Sequence, residues 1–142
     1  MTIVVDLELK PDDQAIIRER LYAYNDAQVD GTEARIGVLL KDEAGQTVGG
    51  LTAHCYYGWM FIELLFVPDA MRGEDLGTQL MNEAERIARE RGVHGIWLDS
   101  FSFQAPRFYE KLGYTTFGEL PDYPVGHSRY FLSKRLDGAQ PI

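Results

Sequence analysis

The sequence predicts an α/β domain, and three observations predict it. An apolar run from Phe61 to Val67, broken only by Glu63, is stopped by Pro68; an Arg72-Gly73 turn and a long amphipathic pattern follow, which is a strand–turn–helix unit. Period-two and helical patterns alternate along the chain in the order strand, helix, three strands, helix, strand, helix, two strands. The length, 142 residues with 45% apolar and 25% charged side chains, suits one globular domain with a full core, so residues 1–142 are expected to form a single domain.

Each element has a local reason. Thr2 to Leu9 alternates and predicts a first strand. Pro11-Asp12-Asp13 starts a helix, with proline tolerated and acids favoured in the first turn; Ile16, Ile17, Leu21 and Tyr24 give it an apolar face that ends near Gly31. Arg35 to Lys41 predicts a strand, residues 42–45 a turn, and Gln46 to Tyr57 a second strand with a bulge at Gly49-Gly50. Gly58 turns the chain into Trp59 to Val67. The helix after Gly73 carries Leu76, Leu80, Ala84, Ile87 and Ala88 on one stripe and the pairs Glu85/Arg89 and Arg86/Glu90 on its wet side, and Gly92 ends it. Gly95 to Asp99 is a short strand and Ala105 to Leu112 a short helix closed by Gly113. Tyr114 to Leu120 and His127 to Leu136 are the last strands, with a loop at 121–126 and a frayed tail expected over 137–142.

Composition narrows the partners. Fourteen Lys and Arg against 22 Asp and Glu leave a net charge of −8, which argues against nucleic acid or an anionic membrane as partner and favours a cationic acceptor such as an amine. Cys55 is the single cysteine, and His54, His94 and His127 lack ligand spacing, so neither a disulfide framework nor a metal is expected. No signal peptide and no membrane-spanning run are legible, and a cytoplasmic location is the expectation.

The segment from Val67 to Leu80 carries the chemistry. A glycine-containing turn between strand and helix aims free N–H groups and the positive end of a helix dipole at one spot, which suits a phosphate. This segment resembles the acetyl-CoA loop of the Gcn5-related N-acetyltransferases, with Arg/Gln-x-x-Gly-x-Gly/Ala between the fourth strand and the next helix. Arg72, Gly77 and the apolar flanks match, whereas Asp75 stands where the family has its first glycine. A second match, Ala105-Pro106-Arg107-Phe108-Tyr109-Glu110-Lys111-Leu112-Gly113-Tyr114, is similar to the family's late Ala-x-x-Phe/Leu-Tyr-x-x-x-Gly-Phe/Tyr segment. The resemblance covers about Gly58 to Leu136 well and the first half by pattern.

The resemblance implies an acyl-CoA N-acyltransferase fold: a mixed, mostly antiparallel sheet flanked by helices and splayed between its fourth and fifth strands, where the pantetheine arm enters. It implies transfer of an acetyl group from acetyl-CoA to a primary amine by direct attack on the thioester, without a metal. Backbone amides from Gly73 through Asp75, Leu76 and Gly77 to Thr78 would take the pyrophosphate, and Leu65 and Val67 the pantetheine, with an oxyanion donor at the Val67 N–H. Arg72, Ser102, Gln104, Phe108 and Lys111 complete the expected cofactor set. A carboxylate at Asp75 would repel each unit of phosphate charge by about 1–3 kcal/mol at ~5 Å unless Arg72 compensates or the side chain points to solvent.

Glu63, a carboxylate in an apolar strand, is the expected base, either paired, solvated by the split, or raised in pKa by desolvation; His54, His127 and Tyr57 are substitutes. A glutamate on a wet sheet face or a structural ion pair is the competing explanation of Glu63. Tyr109 is the expected acid for the departing thiolate, against a packed aromatic with a bonded hydroxyl. Cys55 as an acyl-carrying nucleophile is disfavoured, because His54 would point to the opposite strand face. Tyr22, Tyr24, Asp26, Trp59, Tyr123 and His127 are the expected acceptor residues, for a small-molecule or protein amine. The alternatives are a non-catalytic acyl-CoA-binding or protein-interaction module of the same fold, and an enzyme using another donor or an oxygen acceptor. The resemblance also admits a homodimer.

Overall fold

A computed structural model describes residues 1–139, which fall into two compact units, Met1–Gly31 and the chain from Thr32 on. The first unit is built on helix α1, Pro11–Gln28, with proline in its first turn and Asp12 and Asp13 beside the positive end of its dipole. The Val29 N–H closes it on the Asn25 carbonyl at 3.0 Å. None of its residues is buried, and Ile16, Ile17, Leu21 and Tyr24 lie exposed.

The strand expected over Thr2–Leu9 does not form. A strand needs a neighbour for its ladder, and among the described residues of the Met1–Gly31 unit α1 is the only regular element. Asp6 instead folds the segment locally: its carboxylate accepts from the Glu8 N–H and from Lys10 Nζ, each at 3.0 Å.

The second unit contains β1 (Ala34–Lys41), β2 (Thr47–Tyr56), β3 (Trp59–Phe66), α2 (Leu76–Arg91), β4 (Gly95–Phe101), α3 (Pro106–Lys111), β5 (Thr115–Pro121) and β6 (Ser128–Arg135). The six strands form one sheet in the order β1-β2-β3-β4-β6-β5, antiparallel except for the parallel pair β3–β4. Leu51, Met60, Ile62, Ile96, Leu98 and Leu132 bury one face of the sheet in a core with Leu80, Met81, Ala84 and Ala88 of α2. Of the helix stripe read from sequence, Leu80, Ala84 and Ala88 are buried here and Ile87 packs against them, Met81 is added, and Leu76 lies outside the core cluster. Both expected solvent-side pairs form, Arg89 to Glu85 at 2.8 Å and Arg86 to Glu90 at 2.6 Å.

Three bulges lie in the sheet, the third at Phe117 of β5, which is skipped between Thr116/Leu132 and Gly118/Phe131. Leu40 pairs with Gly49 but Lys41 with Thr47, so Val48 is the extra residue, one position before the expected Gly49-Gly50. Thr52 pairs with Leu64 but Ala53 with Ile62, so Glu63 is the extra residue of β3. The second bulge exchanges the faces of the strand: Met60 and Ile62 are buried before it, and Leu65 and Val67 pack toward the core after it. Pairing of β3 with β4 runs only from Trp59/Gly95 to Ile62/Leu98. Beyond that the two strands continue unpaired with each other and form a fork whose apex lies between Glu63 and Asp99.

The expected frayed tail starts too early. Asp137 accepts from Arg135 at 2.8 Å and from the Ala139 N–H at 3.0 Å, and lies 3.2 Å from His94 Nδ1. Residues 140–142 of that expected tail lie outside the described residues.

Candidate active site

Glu63 stands at the apex of the fork because the bulge turns its side chain away from the core. It shares the outer face of the sheet with His54 and Arg35, which pair with each other across β1 and β2. His54 Nδ1 lies 2.6 Å from Glu63 Oε1, and Arg35 Nη1 lies 3.8 Å from the same oxygen. The carboxylate can only accept, so His54 Nδ1–H donates. His54 is braced edge-on against Phe61, whose ring stacks on Trp97 at 4.2 Å. Beside this group runs a groove of about 430 Å³, lined by Arg35, Ile36, Gly37, Thr52, Ala53, Glu63 and Leu64. Thr52 Oγ1 is buried there without a hydrogen-bond partner.

The turn before α2 is held by Arg72. Its Nε donates to the Val67 carbonyl at 3.2 Å and its Nη1 pairs with Asp69 at 2.5 Å. Arg72 thus ties the start of the turn to the end of β3, and the Val67 carbonyl is engaged. Asp75 has φ 61° and ψ 25°, the left-handed conformation that explains glycine at this position in the family; aspartate is among the few other residues that adopt it. Its side chain makes no capping bond. Gln79 N–H bonds the Asp75 carbonyl at 3.1 Å, so the N–H groups of Leu76, Gly77 and Thr78 precede the first intrahelical bond and face outward from the helix start. Gly77 has a packing reason: a Cβ there would come 3.3 Å from Phe108 Cζ, so glycine lets α3 approach α2.

The end of β4 and α3 form the other side. Tyr109 is buried between Phe108 and Tyr114 in edge-to-face contacts. Burial, and then the Asp99 carboxylate, push its phenol above the ordinary range, so it stays protonated at neutral pH. Asp99 itself pairs with Arg129 at 2.8 Å. Ser102 and His127, expected on the cofactor and acceptor sides respectively, meet: Ser102 Oγ lies 3.1 Å from His127 Nδ1 and accepts the Ser128 N–H at 3.1 Å. Tyr123 stacks on Phe101 and accepts from Arg129 at 3.2 Å. The Gln104 side-chain carbonyl accepts the Phe101 N–H at 2.8 Å, so it fastens the turn between β4 and α3. Lys111 closes α3.

Not every expected residue is brought to the fork. Trp59 pairs with Gly95 at the closed end of β3–β4, roughly 10 Å along the strand from Ile62, under the Arg135 guanidinium. Tyr22, Tyr24 and Asp26 lie on α1, in the Met1–Gly31 unit. Cys55 is buried in the core, where burial pushes its thiol up, and His54 faces the other way, as the alternation of the strand requires. Sequence reading missed Arg35, Thr52 and Asp99. Only the strand register puts them near Glu63, and register leaves no local signal in a single chain. Among the described residues no group of three or more His, Cys, Asp or Glu could hold a metal ion, and no helix is long and apolar enough to cross a membrane.

Comparison with known proteins agrees with this geometry. The profile of the acetyltransferase (GNAT) family matches residues 4–114. The chain is 40% identical over 95 residues to the blasticidin-S acetyltransferase of Streptomyces morookaense, covering 66% of this chain and 70% of the relative. A crystal structure from Agrobacterium tumefaciens, described as a candidate acetyltransferase, superposes with a TM-score of 0.91 at 34% identity, over 96% of this chain and all of that one. An aminoglycoside 6'-N-acetyltransferase solved with coenzyme A superposes with a TM-score of 0.63 at 25% identity, over 76% of each chain. The match of profile, relatives and fold, together with a fork flanked by a glycine-bearing helix start, means that the chain belongs to the acetyltransferase (GNAT) family and is an acyltransferase.

Proposed function

We propose that the chain transfers the acetyl group of acetyl-CoA to the primary amine of a small molecule, by direct attack of the amine on the thioester. The observation that carries this reading is the position of Glu63: the extra residue of a bulge, at the apex of the fork, hydrogen-bonded to His54 on an open face. An accessible carboxylate beside unpaired strand edges is what deprotonation of an amine next to a bound thioester requires.

The residues fit coenzyme A. The Leu76, Gly77 and Thr78 amides face outward from the start of α2, a Cβ built at Gly73 meets nothing within 4 Å, and the edge of β3 that carries Leu65 and Val67 is free of β4. In this reading Gly73 and the amides of α2 hold the pyrophosphate beside Asp75 and Arg72. Leu65 and Val67 pair with the pantetheine, and Ser102, Gln104, Phe108 and Lys111 line its other side. Acetyl-CoA supplies the activated acyl group and a good leaving group.

Glu63 accepts a proton from the substrate ammonium, directly or through a water, which frees the amine lone pair to attack, and His54 holds the Glu63 carboxylate in place. As the C–N bond forms, backbone N–H groups stabilise the oxyanion. We assign these to the bulge, Glu63 or Leu64, because Val67 lies roughly 10 Å or more further along the strand, beside the phosphate turn. As the C–S bond breaks, Tyr109 gives its phenolic proton to sulfur. The amine would lie along the outer face, in the groove beside Glu63 and toward Tyr123 and His127.

The blasticidin-S relative supports a small-molecule amine over a protein lysine. The test is thiol release from acetyl-CoA across a panel of antibiotic amines, polyamines and lysine peptides. Turnover on a small amine bears the reading out; turnover confined to peptides, to alcohols or to longer acyl donors contradicts it.

A further inference from the structure

We propose that the fork selects amines that carry a planar aromatic ring, and that Phe101, Phe103 and Tyr123 form the shelf on which this ring stacks. The inference rests on the acetyltransferase reading above for the role of the amine as acceptor, and names the class of amine. Three observations carry it.

The first is ring geometry. Phe101 stacks on Phe103 with centroids 5.3 Å and planes 20° apart, and on Tyr123 at 5.3 Å and 18°. His127 closes the group edge-on against Phe103, at 79°. A stack that served only as core would be buried, yet Phe103 is 57% and Tyr123 41% exposed. A further planar ring continues such a stack, and a puckered saturated ring does not lie flat on it.

The second is that the shelf is braced before anything binds. Beside Phe103, the Ser102 N–H donates to the Ser128 carbonyl at 2.8 Å, and the Gln104 side chain holds the Phe101 N–H. The loop that carries Tyr123 closes on itself, through the Tyr123 N–H to the His127 carbonyl at 3.2 Å and the His127 N–H to the Pro124 carbonyl at 2.8 Å. Rings held in place in advance lose little entropy when a ligand arrives.

The third is position and charge. Ile96, Leu98 and Ser100 of β4 are buried, so by alternation Asp99 and Phe101 lie on the outer face with Glu63. Phe101 stands two residues past Asp99, roughly 7 Å further toward the open end of the fork. The cation of the shelf is already engaged: Arg129 pairs with Asp99 at 2.8 Å, donates to the Tyr123 hydroxyl at 3.2 Å and lies 5.2 Å from the centre of the Phe101 ring. The apex thus offers the Glu63 carboxylate to an ammonium, and the shelf offers a π-face to a ring a short alkyl tether away.

The test is a set of matched titrations of the full chain, with and without CoA, read by the NMR shifts of its aromatic protons. Phenylalkylamines with two to four methylene groups are compared with cyclohexylalkylamines of the same length. The phenyl series should bind about two- to twelvefold more tightly at its best tether length, with the shifts centred on Phe103 and Tyr123. A cyclohexyl ring is no less apolar than phenyl, so burial of apolar surface alone gives no such preference. Phe103→Leu, at an exposed position, keeps the apolar bulk, removes the π-face and should bring the ratio close to one. Equal affinities of the two series for the wild-type chain would overturn the proposal, as would no binding of either series at millimolar amine, or a preference that survives both Phe103→Leu and Tyr123→Leu. The titrations involve no acetyl transfer, so the two readings fail separately. A preference for phenyl without thiol release upholds the shelf and contradicts the acetyltransferase reading, whereas thiol release at equal kcat/KM from both series contradicts the shelf alone.

Discussion

His54 Nδ1 lies 2.6 Å from Glu63 Oε1, across a bulge that makes Glu63 the one residue of β3 without a counterpart in β2. The contact fixes one oxygen of the carboxylate, and on the proposed mechanism the other takes the amine proton. Glu63→Gln is therefore expected to lower kcat by about 10²–10⁴-fold, the usual worth of a positioned base, while leaving the affinity for acetyl-CoA unchanged. His54→Ala should lower kcat by less, because it loosens the base without removing it. Steady-state rates and a pH–rate profile on one amine check both. A Glu63→Gln enzyme with wild-type turnover and profile would assign the pair a structural role.

Asp75 makes two separable contributions, a left-handed backbone and a negative charge near the proposed phosphate site. Asp75→Gly keeps the conformation and removes the charge, so acetyl-CoA should bind more tightly, by about five- to 150-fold for a repulsion of about 1–3 kcal/mol. Asp75→Val removes the charge but opposes the conformation, and should lower stability by about 1–2 kcal/mol. Calorimetric titration and thermal melts read the two effects independently; no change in affinity for Asp75→Gly would mean that the carboxylate points away.

Tyr109 is held protonated by burial and then by Asp99, so its phenol titrates above the ordinary tyrosine range. On the proposed mechanism the acid form is the active one, so activity should persist through neutral pH and fall only as pH rises above about 10. Tyr109→Phe should lower the chemical rate, abolish that alkaline limb and leave acetyl-CoA binding nearly intact. Single-turnover kinetics against pH test this, and an unchanged rate would exclude the role.

Burial alone would raise the Glu85 carboxyl, but hydrogen bonds from Arg89 and Lys134 outweigh it and leave it below its ordinary value. A carboxylate depressed in the folded state adds stability that is fully present above its unfolded value, near 4.3, and is lost as pH falls through the folded one. Glu85→Gln should cost about 1–2 kcal/mol at neutral pH, a difference from wild type that shrinks as pH falls below about 4. Urea unfolding of both proteins over a pH series checks the sign.

Much of this was legible in the sequence because the signals were local. Proline, glycine and hydrophobic period located α1, α2 and α3 and all six strands of the Thr32 unit, and they singled out Glu63 as a carboxylate in an apolar strand. Sequence failed where the outcome depends on partners. Alternation at Thr2–Leu9 was real, but alternation gives a strand only with an edge to pair against, and the Met1–Gly31 unit, built on one helix, offers none. The company of Glu63 depended on register: Arg35 and His54 reach it only because β1, β2 and the bulge align them. Asp75 departed from the family pattern in residue type, yet its backbone adopts the conformation that the pattern encodes.

The most direct test of the central claim is calorimetric titration of the wild-type chain with acetyl-CoA and with CoA at fixed salt. The account predicts saturable binding of one acetyl-CoA per chain, with CoA competing for the same site. No heat of binding up to millimolar ligand would contradict it, because the helix start and the fork would then hold no donor for Glu63 and Tyr109 to act on.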